Sequence, residues 1–308
     1  MPERKGELDP LASIVQRLSV LLVAGVAPVS AWSYLAEGAQ GADAARVRAV
    51  AEAAAGGAVI SEEIANAADS ATANALAWRG LAAAWHVATE AGAPLAPTLV
   101  ELAVSLRSLA QNQRDLQTAL AAPAATARMV MVLPVIGILF GLALGFDVLG
   151  TLFGTPPGLV CLALGVTLMI VARWWNSRLI ASARPKRLTP GLGLDLMAVA
   201  VSGGASITRA QATVAEARER CGLPEDGTDA ALDEVLELSR RAGVPAAGLL
   251  RSEAAEARRV AHSDGERRAA TLAVALMLPL GLCILPAFML LGVAPLLISV
   301  ISSTVVSF

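Results

Sequence analysis

The sequence predicts an all-α, polytopic membrane protein with two related cytoplasmic helical-bundle domains and three or four transmembrane helices. Three observations lead to this prediction: the composition, a set of long uncharged runs, and an internal repeat. Hydrophobic residues make up 56% of the 308 residues and charged residues 16%, whereas soluble proteins carry roughly 25% charged residues. Aromatic residues make up only 4%, which favours helices rich in alanine and leucine over strands.

Two uncharged runs in the middle of the chain predict a pair of membrane helices. They read MVMVLPVIGILFGLALGF over 129–146 and PPGLVCLALGVTLMIVA over 156–172. With its flanking residues, each run reaches the roughly 20 mostly apolar residues that a helix needs to cross the hydrocarbon core. The Gly-Thr-Pro-Pro turn at 154–157 joins them, so the sequence predicts a transmembrane hairpin.

The end of the chain is a third apolar region. No charged residue follows Arg268, and the remaining stretch is too long for a single crossing. Gly292 and Pro295 offer a break, so one span with an apolar tail and two spans both fit. The predicted domains are a polar tail (1–11), a first cytoplasmic helical domain (12–128), a transmembrane hairpin (129–176, with spans at about 129–150 and 156–175), a second cytoplasmic helical domain (177–268) and a C-terminal transmembrane region (269–308, with a span at about 270–291 and room for another at 293–307).

Basic residues set the expected orientation. They flank the runs on the side of the helical domains and are absent from the 147–157 connection, whose one charge is Asp147. By the positive-inside rule, both domains and the N-terminus are expected to lie in the cytoplasm, and the chain is expected to cross the membrane several times. An acid buried in a membrane run is a functional candidate, but Asp147 lies at the end of its run, where interfacial water can reach it.

Two stretches of the chain resemble each other. The loop AGAP at 91–94 recurs as AGVP at 242–245, and AGVAPVSA at 24–31 corresponds to SGGASITRA at 202–210. Further along, the tripeptide AAT is followed at the same spacing by LP in both stretches. This self-similarity predicts two copies of one helical domain, each running into a membrane helix.

Glycines and prolines mark the turns of the repeat. Gly25 and Gly203 fall where a helix must stop and reverse, which glycine allows by adopting a positive φ. Pro28 suits the first turn of the next helix. The structural residues predicted in the two copies are Gly25, Pro28, Gly92, Pro94, Pro134, Gly203, Gly243, Pro245 and Pro279.

Two apolar stripes predict helices in the first domain. The first stripe has the i, i+3, i+4, i+7 spacing of one buried helix face and consists of Leu11, Ile14, Val15, Leu18, Leu21 and Leu22. The run over 18–31 resembles a signal peptide, but its counterpart lies in mid-chain and favours a helix-turn-helix inside a domain. The second stripe, of leucines over 95–120, fits a domain core or a partner surface.

With these features in place, the chain resembles the type II secretion system F domain family. Its members are inner-membrane platform proteins of type II secretion, type IV pili and tight-adherence (Tad) pili. The closing segment RRAATLAVALMLPLGLCILPAFMLLGVAPLL at 267–297 is most similar to Tad platform subunits. The resemblance implies a scaffold that couples a cytoplasmic ATPase to pilin movement. Its implied partners are that ATPase, a sister platform protein or a second copy of itself, pilin and the lipid bilayer.

No enzymatic site is expected. Lys5 and Lys186 are the only lysines, and neither stands in a phosphate-binding G-x-x-x-x-G-K-[ST] motif. His86 and His262 are not part of an H-E-x-x-H zinc helix and are expected to be hydrogen-bonded or solvated.

The net charge of −2 gives no reason to expect nucleic acid. No cofactor or metal is expected, and the cysteines without metal-ligand spacing are expected to be small buried side chains: Cys161, Cys221 and Cys283.

Two further readings depend on charged residues of the second domain. The first is a small-molecule permease subunit, because Glu253-Ala254-Ala255 resembles the loop by which such permeases contact their ATPase; the expected glycine is missing, with Arg258 in that region. The second concerns Arg240 and Arg241, beside the 242–245 loop and far along the chain from any span. This pair could bind carboxylates of a partner or complement its own helix C-terminus.

Overall fold

The computed structural model describes most of the chain as helices. The described residues are 9–41, 43–68, 74–143, 148–183, 190–224, 227–295 and 297–298, and no strand occurs among them. They fall into two compact units: unit 1 lies within Met1–Arg114 and Lys186–Ser263, and unit 2 lies within Asp115–Pro185 and Asp264–Phe308. The prediction of an all-α chain is confirmed for this part of the sequence.

Several of the described helices are joined by short turns, such as those at 24–27 and 203–206. Twelve helices precede the apolar end of the described chain: α1 (Asp9–Val23), α2 (Pro28–Glu37), α3 (Ala44–Ala55), α4 (Ile60–Asn66), α5 (Ala75–Glu90), α6 (Leu95–Ala143), α7 (Val148–Gly154), α8 (Pro156–Ala183), α9 (Leu192–Ser202), α10 (Ile207–Arg220), α11 (Asp229–Ala242) and α12 (Ala246–Ala275). The end itself alternates α-helical and π-helical turns: α13 (Met277–Pro279), a π-turn (Leu280–Ile284), α14 (Leu285–Phe288) and a second π-turn (Met289–Val293).

Unit 1 has one hydrophobic core to which both predicted copies contribute. Leu11, Val15 and Leu18 of α1 are completely buried or nearly so, which confirms the first apolar stripe and places it inside a domain. From the second copy, α9 contributes an almost unbroken buried face that includes Leu194 and Met197. A helix that is apolar all round is stable in water only when it is buried on all sides. The predicted division into two separate cytoplasmic domains stays a prediction.

The leucine stripe of α6 lies mainly in this core. Leu99, Leu102 and Leu106 are buried, and Leu95 and Leu109 pack against the same cluster. The core interpretation is therefore confirmed for this part of the stripe. The stripe continues at Leu116 and Leu120, whose side chains are not part of the described structure.

The helix-ending glycines act mostly as predicted. Gly25 and Gly92 have φ of 87° and 68°, and the residue after each donates its N–H to a carbonyl five residues back, as in a Schellman motif. Gly243 has φ of 67° and closes α11. The prediction of a positive φ at Gly203 was wrong: its φ is −75°, and Gly204 has the value of 88°. The sequence contains two adjacent glycines there, and local pattern alone did not distinguish them.

The prolines of the two repeats lie at helix starts and inside apolar helices. Pro28 is the first residue of α2, where its missing N–H leaves no hydrogen bond unmade. Pro94 and Pro245 stand immediately before α6 and α12. Pro134 lies within α6, and the buried Pro279 ends α13, next to a π-turn.

Unit 2 is a set of apolar helices that approach each other at glycines. A Cβ added at Gly165 of α8 would lie 2.5 Å from Cγ of Leu291, and one at Gly137 of α6 would lie 3.1 Å from the Phe288 ring. Small residues of this kind allow apolar helices to pack closely without a large core. Gly292 lies within the second π-turn and does not break the helical course.

Among the residues that the structure describes, two helical stretches are long and apolar enough to cross a membrane: Pro156–Ile180 and Ala246–Val293. In the most apolar part of each stretch, only 17% and 35% of the residues, respectively, are buried within the chain. A core helix of a soluble protein would be mostly buried, so the two helices indicate membrane association. The total of three or four spans and the side of each loop stay predictions. Asp147 and most of the possible last span at 293–307 lie outside the described residues.

Candidate functional site

Within unit 1, a group of charged and polar side chains connects the first copy to the second. We call it the ion network: Glu101, Ser105, Asp195, Arg251 and Arg258. Arg251 Nε lies 2.8 Å from Glu101 Oε2, and Arg258 Nη1 lies 2.6 Å from Asp195 Oδ2. The Ser105 hydroxyl also donates to Asp195 Oδ2, at 3.4 Å. Because Glu101 and Ser105 are one helical turn apart, α6 presents both to the second copy.

The Asp195–Arg258 pair is the more buried part of the network. The Asp195 side chain is 24% exposed and that of Arg258 16%, beside a small cavity lined largely by apolar residues such as Leu102, Leu106 and Leu192. Burial raises the pKa of Asp195 above its ordinary value, and the Arg258 guanidinium opposes this rise. The ion pair links α9 to α12. Without Arg258, the charged form of the Asp195 carboxylate would be left without compensation in a partly buried position.

A backbone contact brings the turns of the two copies together. A Cβ on Gly203 would overlap the Ala91 carbonyl group and lie 3.0 Å from the Ala93 nitrogen. The AGAP loop of the first copy thus lies directly against the glycine turn of the second. Glycine is required at 203 for this close approach, whereas at Gly204 it is the positive φ that favours glycine.

Further polar contacts between the copies involve α4, α5 and the C-terminal end of α10. Arg79 Nη1 donates to the Gly222 carbonyl at 3.1 Å, and Arg220 lies 3.6 Å from Glu62. The Arg220 and Glu62 side chains are both more than half exposed, so this pair contributes little to stability. The Asp195–Arg258 pair is less exposed than this pair and than Glu101–Arg251.

The predicted partner-contact residues lie away from the ion network. Arg240 and Arg241 are in the last turn of α11, and Arg240 Nη2 pairs with Glu237 at 2.6 Å within the same helix. The Arg240 side chain is 71% exposed and lines a shallow groove with Ile207, Gln211 and Asp233. This geometry fits complementation of the helix C-terminus and leaves the pair accessible to a partner.

The described part of the chain contains no group of three or more His, Cys, Asp or Glu side chains that could hold a metal ion. His86 is buried, and its Nε2 has no hydrogen-bond partner among the described residues, so the expectation that it is hydrogen-bonded or solvated is not met at this atom. It lines a groove with Cys221, and burial raises the pKa of this thiol. Cys221 and Cys283 are buried as expected, and Cys161 is partly exposed.

The ion network could not be predicted from the sequence. One signal was present: Asp195 is the single charged residue in the apolar helix α9, and a carboxylate in such a helix needs a partner. Nothing in the spacing of the chain identified Arg258, 63 residues away, as that partner. Long-range pairing of this kind depends on tertiary structure.

One family model of known proteins matches part of this chain. The model of the family described as type II secretion system (T2SS), protein F, matches residues 14–143. The match begins in α1 and ends with the last residue of α6, so it includes the Gly25 turn, the AGAP loop and the apolar end of α6. Searches of curated proteins and of solved structures gave no match. Domains of this family occur in the inner-membrane platform proteins of type II secretion and pilus machines, and residues 14–143 of this chain match that F domain.

Proposed function

We propose that this chain is an inner-membrane platform subunit of a Tad-like type IV pilus or a type II-like secretion machine. In this role it couples a cytoplasmic ATPase to pilin assembly, together with a sister platform protein or a second copy of itself. The F-domain match over 14–143 is the observation that carries the proposal. The exposed apolar surface of α8 supports residence in the bilayer, and the similarity of the closing segment to Tad subunits favours a pilus.

The proposed mechanism is mechanical coupling without bond chemistry or cofactor. Both α6 and α12 begin in unit 1, and both extend along the chain into unit 2. Within unit 1, the Glu101–Arg251 pair links these helices directly, and Asp195 links Arg258 of α12 to Ser105 of α6. An ATPase that displaced one of the two helices would therefore also displace the other.

Deleting the gene and imaging the cell surface is the first test. We expect surface filaments to disappear and to return when the wild-type gene is supplied in trans. A deletion strain that keeps its filaments but fails to export a soluble protein would favour the type II-like machine over the pilus. A strain that loses neither would contradict the proposed function.

The Arg240–Arg241 pair tests where the ATPase binds. We propose that R240E/R241E inserts into the membrane normally but weakens ATPase association and filament formation, because carboxylates would replace bidentate donors. R107E/R209E is the control, since it places the same charge change at two exposed arginines elsewhere in unit 1. Wild-type filament levels in R240E/R241E would assign the pair to helix capping alone, and equal losses in both variants would show a general effect of charge.

Reporter fusions test the proposed topology. Fusions after Gly150 are expected to report the outside of the cell and fusions after Arg187 the inside, because the basic residues flank the runs on the domain side. A periplasmic signal after Arg187 would reverse the proposed orientation.

The absence of catalysis is also a proposal that can be tested. The purified chain is expected to hydrolyse no ATP above the level of a mock preparation from cells that lack it, because its lysines stand outside any phosphate-binding motif. ATP turnover that followed the protein through successive purification steps would refute this.

The permease alternative receives less support. Residues 253–255 lie inside α12 rather than in a loop, and Ala254 is completely buried. A Cβ at Gly191 would lie 2.8 Å from the Ala254 carbonyl oxygen, so the helix start of α9 covers this segment. A segment that is packed in this way is not available as an exposed contact for a separate ATPase.

A further inference from the structure

The C-terminal end of α8 carries an exposed aromatic and basic group. Trp174 is 60% exposed, and Arg173 and Arg178 are exposed on either side of it in sequence. The helix starts at Pro156 and is uncharged up to Arg173, which at 1.5 Å per residue is a length of about 26 Å. This is close to the thickness of the hydrocarbon core, so the group lies at the depth of the lipid headgroups when α8 crosses a bilayer.

The arrangement of Arg178 leaves its donors available. Its guanidinium carbon lies 5.4 Å from the centroid of the Trp174 ring, which fits a cation–π contact. A cation–π contact makes no hydrogen bond, so the five N–H donors of the guanidinium stay available to a ligand. No ion pair of Arg173 or Arg178 occurs among the described residues, and α8 contains no Asp or Glu.

We propose that this end of α8 binds the headgroup phosphate of an anionic phospholipid. Arginine matches phosphate oxygens through paired N–H donors, and Trp rings favour the interface between headgroups and acyl chains. One turn earlier, the exposed Ile170 and Val171 provide apolar surface for the acyl chains of the same lipid. This continuity with an apolar helix surface selects a lipid over free phosphate. The inference depends on membrane insertion and is independent of the pilus or secretion role.

Tryptophan quenching by brominated lipids tests the site in the full-length protein. The protein is reconstituted into mixed phosphatidylglycerol and phosphatidylcholine vesicles in which one lipid or the other is brominated. Trp32, Trp78 and Trp85 are buried, whereas Trp175 is partly buried. Contact quenching therefore reports Trp174 and Trp175, and the difference from W174F isolates the signal of Trp174. We expect brominated phosphatidylglycerol to quench this signal more strongly than brominated phosphatidylcholine at equal mole fraction.

Arginine variants then assign the preference to the proposed site. R173Q/R178Q is expected to lower the relative affinity for phosphatidylglycerol by about fivefold per arginine, the usual effect of one basic residue at an anionic membrane surface. R107Q/R209Q is the control, because it removes two exposed arginines of unit 1. Resistance to alkaline extraction confirms insertion of each variant, and the single variants R173Q and R178Q replace the pair if it fails to insert.

Three results would overturn the proposal. Equal quenching of wild-type Trp174 by the two brominated lipids would show no preference for the anionic headgroup. An equal loss of preference in R107Q/R209Q would show a general charge effect. Absence of Trp174 quenching by both lipids would show that this end of α8 does not reach the bilayer.

Discussion

Helices α8 and α9 have similar apolar sequences and opposite surroundings. The 11-residue α9 buries Leu194 and an unbroken run over 196–200, whereas in the 28-residue α8, Leu164 and Ile170 are 52% and 63% exposed. At 1.5 Å per residue, α9 is about 17 Å long and cannot cross a hydrocarbon core of about 30 Å, but α8 can. Hydropathy therefore identifies an apolar helix, but its length and packing decide whether protein or lipid covers it.

Placing a lysine in each helix should have the largest effect and should separate the two environments. M197K puts a charge into the core of unit 1, where Met197 is 1% exposed, and is expected to destabilise folding by more than about 4 kcal/mol. L164K should leave unit 1 folded and reduce membrane integration, because lysine near the middle of a membrane helix costs about 3 kcal/mol. Protease protection of unit 1 and alkaline extraction measure the two effects.

Two results would contradict this contrast between α8 and α9. An L164K protein that integrates as well as the wild type would mean that α8 does not face lipid. An M197K protein with normal protease protection would mean that α9 is not the core helix of unit 1.

A second test uses the two adjacent glycines after α9. G203A is expected to destabilise unit 1 by about 2–4 kcal/mol, because the added Cβ would overlap the Ala91 carbonyl and neither backbone can move freely. G204A meets nothing within 4 Å and should cost about 1 kcal/mol from its positive φ alone. Thermal unfolding in detergent gives both values. Equal losses would show that the Gly203–Ala91 approach does not hold the copies together.

The ion network predicts a dependence on pH. R258M removes the cation that opposes the raised pKa of Asp195, so this pKa should rise further. A raised folded-state pKa contributes stability that is present at low pH and lost as pH rises through it. We therefore expect R258M to lose about 2 kcal/mol at pH 8 and less as the pH is lowered, because protonation removes the unpaired charge of Asp195.

Adding D195N to R258M provides the control for this pH effect. It removes the unpaired carboxylate and should recover most of the loss at pH 8, as melting temperatures across the pH range would show. An R258M defect of the same size at pH 5 and pH 8, or no recovery with D195N, would mean that lost packing and not charge explains the effect.

The smallest effect is expected at the exposed pair of α11. Arg240 and Glu237 are 71% and 52% exposed, so R240A should change the free energy of unfolding by no more than about 0.5 kcal/mol. Melting curves recorded beside those of R258M would compare an exposed pair with a buried one. A loss as large as that of R258M would show that the surface pair is part of a larger network.

Part of the fold could be predicted because its causes are local. The spacing of Leu11, Val15 and Leu18 identifies the buried face of α1, and Gly25, Gly92 and Gly243 mark helix ends because they can adopt positive φ. The choice between Gly203 and Gly204 could not be made in this way. It depends on the Ala91 carbonyl, which belongs to another part of the chain.

The helical class, the apolar runs and a few helix ends follow from the sequence alone, because composition, periodicity and glycine conformation act over a few residues. Only the tertiary structure decided that both predicted copies contribute to one core and that Asp195 pairs with Arg258 across 63 positions. The physical reason is that burial and ion pairing depend on which surfaces meet in space. Many partners are compatible with an isolated carboxylate in an apolar helix, and the packing of α6, α9 and α12 selects one.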